Sequence, residues 1–423
     1  MSKTLGQWAL VLAAVPTLVV FGVSEARAQS RAQPLTLGHA LEAMRAQHPL
    51  LGAADAEIEA ADADAVGAGL WTNPVLDASY TPGVVQSSYD PSGYISWGIT
   101  QFFEVSDTPG ARARAARLRE DATRSDRDAL ANELSIEVEQ AFVDACNALA
   151  VRELWRTRVE MLRTVGAIVE TRVGAGAAPR YDASRFAIVL RRAETSLGQA
   201  EAALATSRGE LRAAIGPGVA ELEGDPVCEG LGPPDLPSLE TLIAQLTDRP
   251  DLVAARSRAS AADATTTVAS RAVLPGFGLR LGGAFGQGPG QVDLYAGVVL
   301  PLPVIDYGQG TIRAAEHRAS SAHRQVESLE ISSEARLRGL YQGAVVARET
   351  ESATASSRGR STEMLDEARA GYESGQFSVL ELADAFDAWG ELGLLTLEAS
   401  LAARHAELDL ARELGRSLRG GVR

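Results

Sequence analysis

The chain has 423 residues, of which 5% are aromatic, and a formal net charge of −15 at pH 7. So acidic a chain excludes nucleic acid as a partner class and disfavours a wide path for anions; a lumen for cations or mixed solutes fits better, although most surface carboxylates serve solubility alone. Few aromatics and abundant alanine suit close helix packing along a long seam better than one large globular core.

The N-terminus reads as a secretion signal: Lys3, an apolar run over 8–23, then the small-x-small triplet Ala26-Arg27-Ala28, with cleavage expected after Ala28. Pro16 and the short length of the run argue against a membrane anchor. No cysteine follows the cleavage site, so lipid attachment there is not expected. Beyond residue 28 there is no run of 18 apolar residues, so any membrane crossing must be made by strands.

A polar lead over 29–34 precedes Leu35-Thr36-Leu37, which opens a helix predicted over 37–70 with Leu41, Met44, Leu51 and Ile58 on its apolar side. Asn73-Pro74 ends it, because a residue before proline is pushed out of the helical region. Residues 75–83 carry Leu76, Ala78 and Tyr80 on one side and read as a strand. The stretch 84–93, rich in Gln, Ser, Asp and Pro, reads as a polar loop. In 94–105, Ile95, Trp97 and Ile99 alternate with Ser96, Gly98 and Thr100, which predicts a second strand.

Residues 106–110 turn into a proline-free stretch in which Val151, Trp155, Val159, Leu162, Val165, Val169 and Val173 recur by threes and fours. At about 1.5 Å per residue, some 63 residues make a rod of roughly 95 Å, against about 11 residues for an ordinary helix. Such a rod must pack lengthwise against others. Gly174-Ala175-Gly176-Ala177-Ala178-Pro179 reverses the chain, and Pro179 suits the first turn of a return helix running to about 214. Gly216-Pro217-Gly218 stops that helix, and 220–238 reads as irregular.

The plan then repeats. A helix is predicted over 239–272, ended by Leu274-Pro275; strands over 277–285 and 292–300 flank a loop at 286–291. Asp306-Tyr307-Gly308-Gln309 leads into a second long helix, which reverses between Gly371 and Gln376, passing Gly375, before a last helix over 378–418. His48-Pro49 answers Arg249-Pro250 and Asn73-Pro74 answers Leu274-Pro275 at an offset of 201; Asp107 answers Asp306 and Gly176 answers Gly375 at 199. The chain is a tandem duplication, with a signal over 1–28, repeats over 29–215 and 239–418, an irregular mid-chain segment over 216–238 and a tail over 419–423.

In each half two short helices sum to the length of one long one, so they can stack end to end beside it, with all strands at one end and both reversals at the other. The strands have the length of tilted membrane strands and one apolar face. A membrane sheet must close on itself; four strands cannot enclose an open lumen, and three chains would supply twelve. The alternatives are a soluble two-hairpin sheet capping a coiled coil, and a non-conducting structural trimer. The fold class is mainly α with a small β-barrel contribution. Cys146 and Cys228 fall on the long helix and in the irregular segment; an exported compartment permits a disulfide, but two separate buried thiols are the expectation. His39, His48, His317, His323 and His405 are scattered and form no metal-ligand cluster. With no nucleophile motif or phosphate loop either, no enzyme activity, cofactor or metal is expected.

The duplicated plan, Leu35-Thr36-Leu37, the Asn73-Pro74 junction, the Asp306-Tyr307-Gly308-Gln309 junction and the Gly-bearing reversals together resemble the TolC-like outer-membrane efflux family. The resemblance implies a homotrimer in outer-membrane lipid, with a twelve-stranded barrel and a long periplasmic α-barrel. It further implies service as the exit duct of a tripartite pump or of type I polypeptide secretion. The implied partners are a periplasmic adaptor and an inner-membrane pump of the resistance-nodulation-division type. Residues 101–112 look most similar to the heavy-metal branch, although they lack its Gly-Lys-Arg ending. The resemblance places entrance carboxylates at Glu381 and Asp384, with Asp182 and Arg185 as counterparts in the first half, and adaptor docking at tips bearing Gly174, Gly176, Gly371 and Gly375. Ser378 and Glu381 also form a capping-box pattern, whereas Asp384 lies past the first turn and gains less from the helix dipole, which makes it the better gate candidate. Arg185 against an acid of the facing hairpin would form a closing pair. Arg280 is expected in the wet lumen, and Trp97, Phe102 and Phe103 either on the lipid face or buried at the junction.

Overall fold

The computed structural model describes residues 33–85, 88–229, 236–274, 276–285 and 292–418. The expected secretion signal, Pro275, the 286–291 loop and the 419–423 tail lie outside the described residues.

The helix predicted over 37–70 is two helices, α1 (Leu37–Gln47) and α2 (Pro49–Ala68). Pro49 forces His48 into an extended conformation, and the His48 imidazole then accepts the Leu50 amide at 3.3 Å to start α2. The second half breaks at the same place. β1 (Gln33–Pro34) opens the described chain, β2 spans Val75–Val85, β3 Ser88–Phe103 and β4 Leu222–Glu223. α3 (Thr108–Gly174) and α4 (Arg180–Ile215) form the first hairpin. In place of one helix over 239–272 stand α5 (Leu239–Gln245), a 3-10 turn and, after extended Arg249, α6 (Pro250–Arg271). β5 (Phe277–Phe285), β6 (Val292–Val299), α7 (Gln309–Ser374) and α8 (Val379–Leu414) complete the repeat.

α3 has 67 residues, a rod of about 100 Å. α2 and α4 both pack along it, stacked end to end as the length arithmetic requires, and α6 and α8 flank α7 in the same way. α3 also packs on α6 and α8, so the helices form a wall in the order α2-α3-α6-α7 towards the strands and α4-α3-α8-α7 towards the tips. Buried positions of α7 match those of α3 at the offset of 199: Ala315 with Ala116, Leu337 with Val138, Ala344 with Ala145. Large buried side chains gather at mid-height, around Met44, Phe142 and Ile215 in one half and Leu337 and Leu410 in the other, and again near the tips around Leu162, Leu382 and Phe386. Between them the wall is held by alanines.

The two hairpins join into one antiparallel sheet, β2-β3-β5-β6. The polar loop predicted over 84–93 is corrected: the β2–β3 ladder continues past an irregularity at Thr81/Gly83 to Val85 opposite Ser88. Backbone pairing needs no apolar side chains, so a stretch of Gly, Ser, Asp and Pro hid it. In the mid-chain segment expected to be irregular, β4 pairs in parallel with β1, and the Val227 amide reaches the Leu35 carbonyl at 2.9 Å. These contacts draw the segment onto α3. They also overturn the expectation of separate thiols, since Cys146 and Cys228 are disulfide-bonded with Cα atoms 5.7 Å apart.

Arg249, held extended by Pro250, is buried and donates to Asp251 at 2.6 Å, Glu413 at 2.6 Å and Ser333 at 2.7 Å, tying α6 to α7 and α8. Arg249→Ala would leave the half-buried Glu413 at a helix crossing with only Arg336 for a partner. It is expected to cost about 3 kcal/mol or more, read as a lowered thermal unfolding midpoint in detergent; an unchanged midpoint would show that the cluster contributes nothing net.

Candidate functional site

The two tips end their long helices in the same way. The Ala177 amide returns to the Arg172 carbonyl and the Gln376 amide to the Gly371 carbonyl, each at 2.8 Å, and Gly176 and Gly375 take φ of 72° and 81°. This left-handed cap is open to glycine at low cost. Gly371 is required for a different reason: the Phe377 ring lies across it where a Cβ would stand. Gly174 faces open space, and no contact within the chain requires a glycine there.

The candidate acids separate by geometry. Glu381 is exposed and closes a full capping box, accepting from the Ser378 amide at 2.7 Å and from its hydroxyl at 2.9 Å while the Glu381 amide donates to Ser378 Oγ at 3.3 Å. The backbone hydrogen bond, followed by the hydroxyl, holds this carboxyl below its usual range. Asp384, one turn on, is exposed and has no partner among the described residues. Asp182 lies in the uncapped first turn of α4, where the helix dipole favours a carboxylate. Arg185 does not pair with an acid of the facing hairpin. It donates to the Tyr181 hydroxyl at 3.3 Å, one turn back on its own helix.

Three contacts between the hairpins were not foreseen. Arg172 on the first donates to the Tyr372 carbonyl on the second, and its guanidinium lies 4.8 Å from the centroid of the buried Tyr372 ring. The Tyr372 hydroxyl is buried without a partner; burial raises its pKa, Arg172 opposes the rise and Asp182 adds to it. Further in, buried Arg158 pairs with Asp387 and stacks 5.0 Å from Trp155, with Gly390 leaving room for its head. The apolar stripe passes through Val159, so no period of the sequence singles out Arg158 beside it. His405 on α8 and Asp144 on α3 lie 2.7 Å apart at mid-height.

At the other end the sheet has two unlike faces. Leu76, Trp97, Ile99, Leu279, Leu281, Leu294 and Val298 share one face and are exposed. Asp77, Ser79, Ser96, Thr100, Arg280 and Tyr295 share the other. Arg280 is on this polar face, bonded to Asp77 at 2.7 Å and 5.5 Å from the Tyr295 ring centroid. The Tyr295 ring crosses Gly282, where any Cβ would collide with it. The aromatic trio divides. Trp97 and Phe103 take the apolar face, Phe103 stacking on Phe277 at 5.4 Å and meeting Trp71 at 5.6 Å, whereas Phe102 is opposite Gly278 on the polar side. The junction residues act on backbone. Asn73 and Pro74 link α2 to β2; the Asp306 carboxylate accepts the Gly308 amide at 2.9 Å and the Gln309 side chain accepts the Tyr307 amide at 3.0 Å. Gly308 (φ 79°) and Asp107 (φ 52°) take the same left-handed turn before α7 and α3.

No helix among the described residues is long and apolar enough to cross a membrane. Paired helical rods ending in a two-faced sheet with free edges define an exit channel in the outer membrane. The chain belongs to the family described as "Outer membrane efflux protein", whose model matches residues 40–217 and 243–416. This is a family of channels, not of enzymes, and its place is the outer membrane of Gram-negative cells. The chain is 23% identical over 358 residues, 84% of each chain, to the cobalt-zinc-cadmium resistance protein CzcC of Cupriavidus metallidurans. Its fold is shared with a membrane protein from Pseudomonas aeruginosa (TM-score 0.77, 20% identity, 89% of this chain and 92% of that one). It is shared too with the CusC channel (0.76, 17%, 90% and 92%) and with VceC of Vibrio cholerae (0.72, 20%, 90% and 96%).

The His405–Asp144 contact gives a pH dependence. The hydrogen bond to Asp144 raises the His405 pKa above the ordinary value of 6.5 against the opposing effect of burial. A raised folded-state pKa means a contribution fully present below 6.5 and lost as pH rises through the folded value. His405→Gln is therefore expected to flatten the fall in thermal midpoint just above pH 6.5; parallel profiles for the two proteins would exclude the contribution.

Proposed function

We propose that three copies of this chain form the exit duct of a tripartite efflux system that discharges divalent heavy-metal cations. The observation that carries the reading is the sheet: one face apolar and exposed, one face polar, and both edges, β2 and β6, unpaired. In hydrocarbon such edges must be satisfied by strands, and three sheets of four supply twelve. The rods then extend into the periplasm, and the tips meet a periplasmic adaptor and an inner-membrane pump of the resistance-nodulation-division type. Conduction is passive. The cargo rests on the similarity to a cobalt-zinc-cadmium resistance protein and agrees with the net charge of −15. Gly176 and Gly375 shape the docking tips. Asp384, free of the cap that engages Glu381, contributes a ring of carboxylates at the entrance that favours cations.

Deleting the gene tests the cargo. Raised cellular cobalt, zinc or cadmium with normal clearance of dyes is the expected result; retained dyes with normal metal would transfer the duct to small organic molecules, and loss of a secreted polypeptide would transfer it to type I secretion. In planar bilayers Asp384→Ala is expected to lower the preference for cations over anions, and an unaltered reversal potential would remove Asp384 from the entrance.

A further inference from the structure

The seam between α3 and α6 carries two grooves, one on each face of the wall. One is lined by Arg119, Thr123, Asp126 and Arg258, the other by Arg114, Arg117, Asp263 and Arg271. At about 3.6 residues per turn, Arg114 and Arg117 project roughly half a turn away from Arg112, Arg119 and Thr123. The sheet tells which face is which. Phe103 lies on the apolar face with Phe277 and Trp71. Glu104, the next residue, receives Arg112 at 3.0 Å. Successive residues of an extended chain point to opposite sides. Arg112 and Arg119 therefore belong to the polar side, and Arg114 and Arg117 to the side that continues the apolar face.

The groove below the apolar face has a volume of about 790 Å³, and its charges are not balanced. Asp107 is held by Arg271 at 2.9 Å, and Asp263 is engaged by the His323 imidazole at 3.0 Å. Arg114 and Arg117 are exposed, and neither has a hydrogen-bonded or ionic partner among the described residues. Asp121, one turn beyond Arg117, accepts from Ser125 with its carbonyl, and its carboxylate pairs with no cation among the described residues. Three residues apart, Arg114 and Arg117 are neighbours on one helix face. Two bare guanidiniums so placed repel each other unless an anion lies between them. The corresponding positions of α7, at the offset of 199, are Arg313 and Glu316, so the second repeat does not carry this pair of cations.

Depth decides which anion. Arg114 stands roughly 9 Å along α3 from Thr108, its first residue. Side chains on a helix slope towards its N-terminus, which here is the sheet. Trp71, Phe103 and Phe277 close the apolar face just above. The headgroup layer beside a hydrocarbon core is about 5–8 Å thick, within reach of a guanidinium on a long stem. We propose that this groove holds the phosphate of an anionic glycerophospholipid from the periplasmic leaflet. Arg114 and Arg117 donate to the phosphate oxygens, the Thr267 hydroxyl receives a headgroup hydroxyl, and the acyl chains lie on the Trp71–Phe103–Phe277 face. The inference rests on the reading that the sheet lies in the outer membrane with the rods in the periplasm.

Lipid retention by the full-length protein in detergent, read by native mass spectrometry, tests this. Phosphatidylglycerol is expected to stay bound at one per chain, and phosphatidylethanolamine to be lost. R114Q/R117Q is expected to weaken retention of phosphatidylglycerol by about tenfold, since two cations near the membrane surface are removed. R119Q/R318Q removes the same charge from exposed positions of the opposite groove and is expected to bind as the wild type does. Equal retention of both lipids by the wild type, or equal losses in the two double variants, would overturn the site. Glycerophosphoglycerol, the headgroup without its chains, is expected to compete poorly; competition at the same concentration as the intact lipid would overturn the lipid in favour of a free anion. A wild-type chain that does not insert into phosphatidylcholine vesicles would overturn the membrane reading itself. One that inserts and shows no preference for phosphatidylglycerol would overturn the groove alone.

Discussion

A backbone amide in hydrocarbon has no water to bond to, and that constraint governs this chain from one end to the other. Four strands pair among themselves and leave β2 and β6 open. The sheet cannot stay in lipid on those terms. In the proposed assembly further copies supply the closing strands, and whatever hangs below the sheet then closes as well. The rods suit that closure because they are chemically like the sheet: a wall with two free edges, α2 with α4 on one side and α7 on the other. Barrel and rods are thus two solutions of one boundary problem, solved with strands in lipid and with helices in water.

Duplication makes the solution economical in sequence terms. A repeat that packs on its sister within the chain uses one helical framework twice. The departures between repeats then carry information. Where α6 has Thr265, α2 has Asp64; where the first tip has Ala177, the second has Gln376 followed by Phe377 folded over Gly371. The first repeat supplies Arg158 and Arg172, and the second receives them on Asp387 and Tyr372. The hairpins are similar in backbone and unlike in role.

Charge inside the wall is concentrated where helices break or cross. Arg249 stands at the α5–α6 break, and Arg404 and Glu407 are buried together where α8 faces α7. A wall built largely from alanine has little apolar area to offer per residue, and buried ion pairs fix the register of long rods that could otherwise slide by a turn. The disulfide does comparable work at mid-height, fastening an irregular segment to α3.

The sequence alone determined the repeat, the rods, the two-faced strands and the tip glycines, because each is written in a local period or in a residue with special backbone freedom. Asp306, Gly308 and Gln309 were legible for the same reason: they act on backbone within three residues of themselves. The break at His48-Pro49 was legible too, though its effect on the helix was not drawn from it. Tertiary structure decided the rest. The ladder through Val85 and Ser88 depends on backbone pairing that composition conceals. The disulfide depends on β1 and β4 meeting across nearly 190 residues of chain, from 33–34 to 222–223. Which tip acids are free was also undecidable locally, since Glu381 and Asp384 lie three residues apart on one exposed turn and only the Ser378 contact separates them. Contacts such as Arg158–Asp387 join residues 229 positions apart. No local period records them, because the distance that matters is set by where two rods cross.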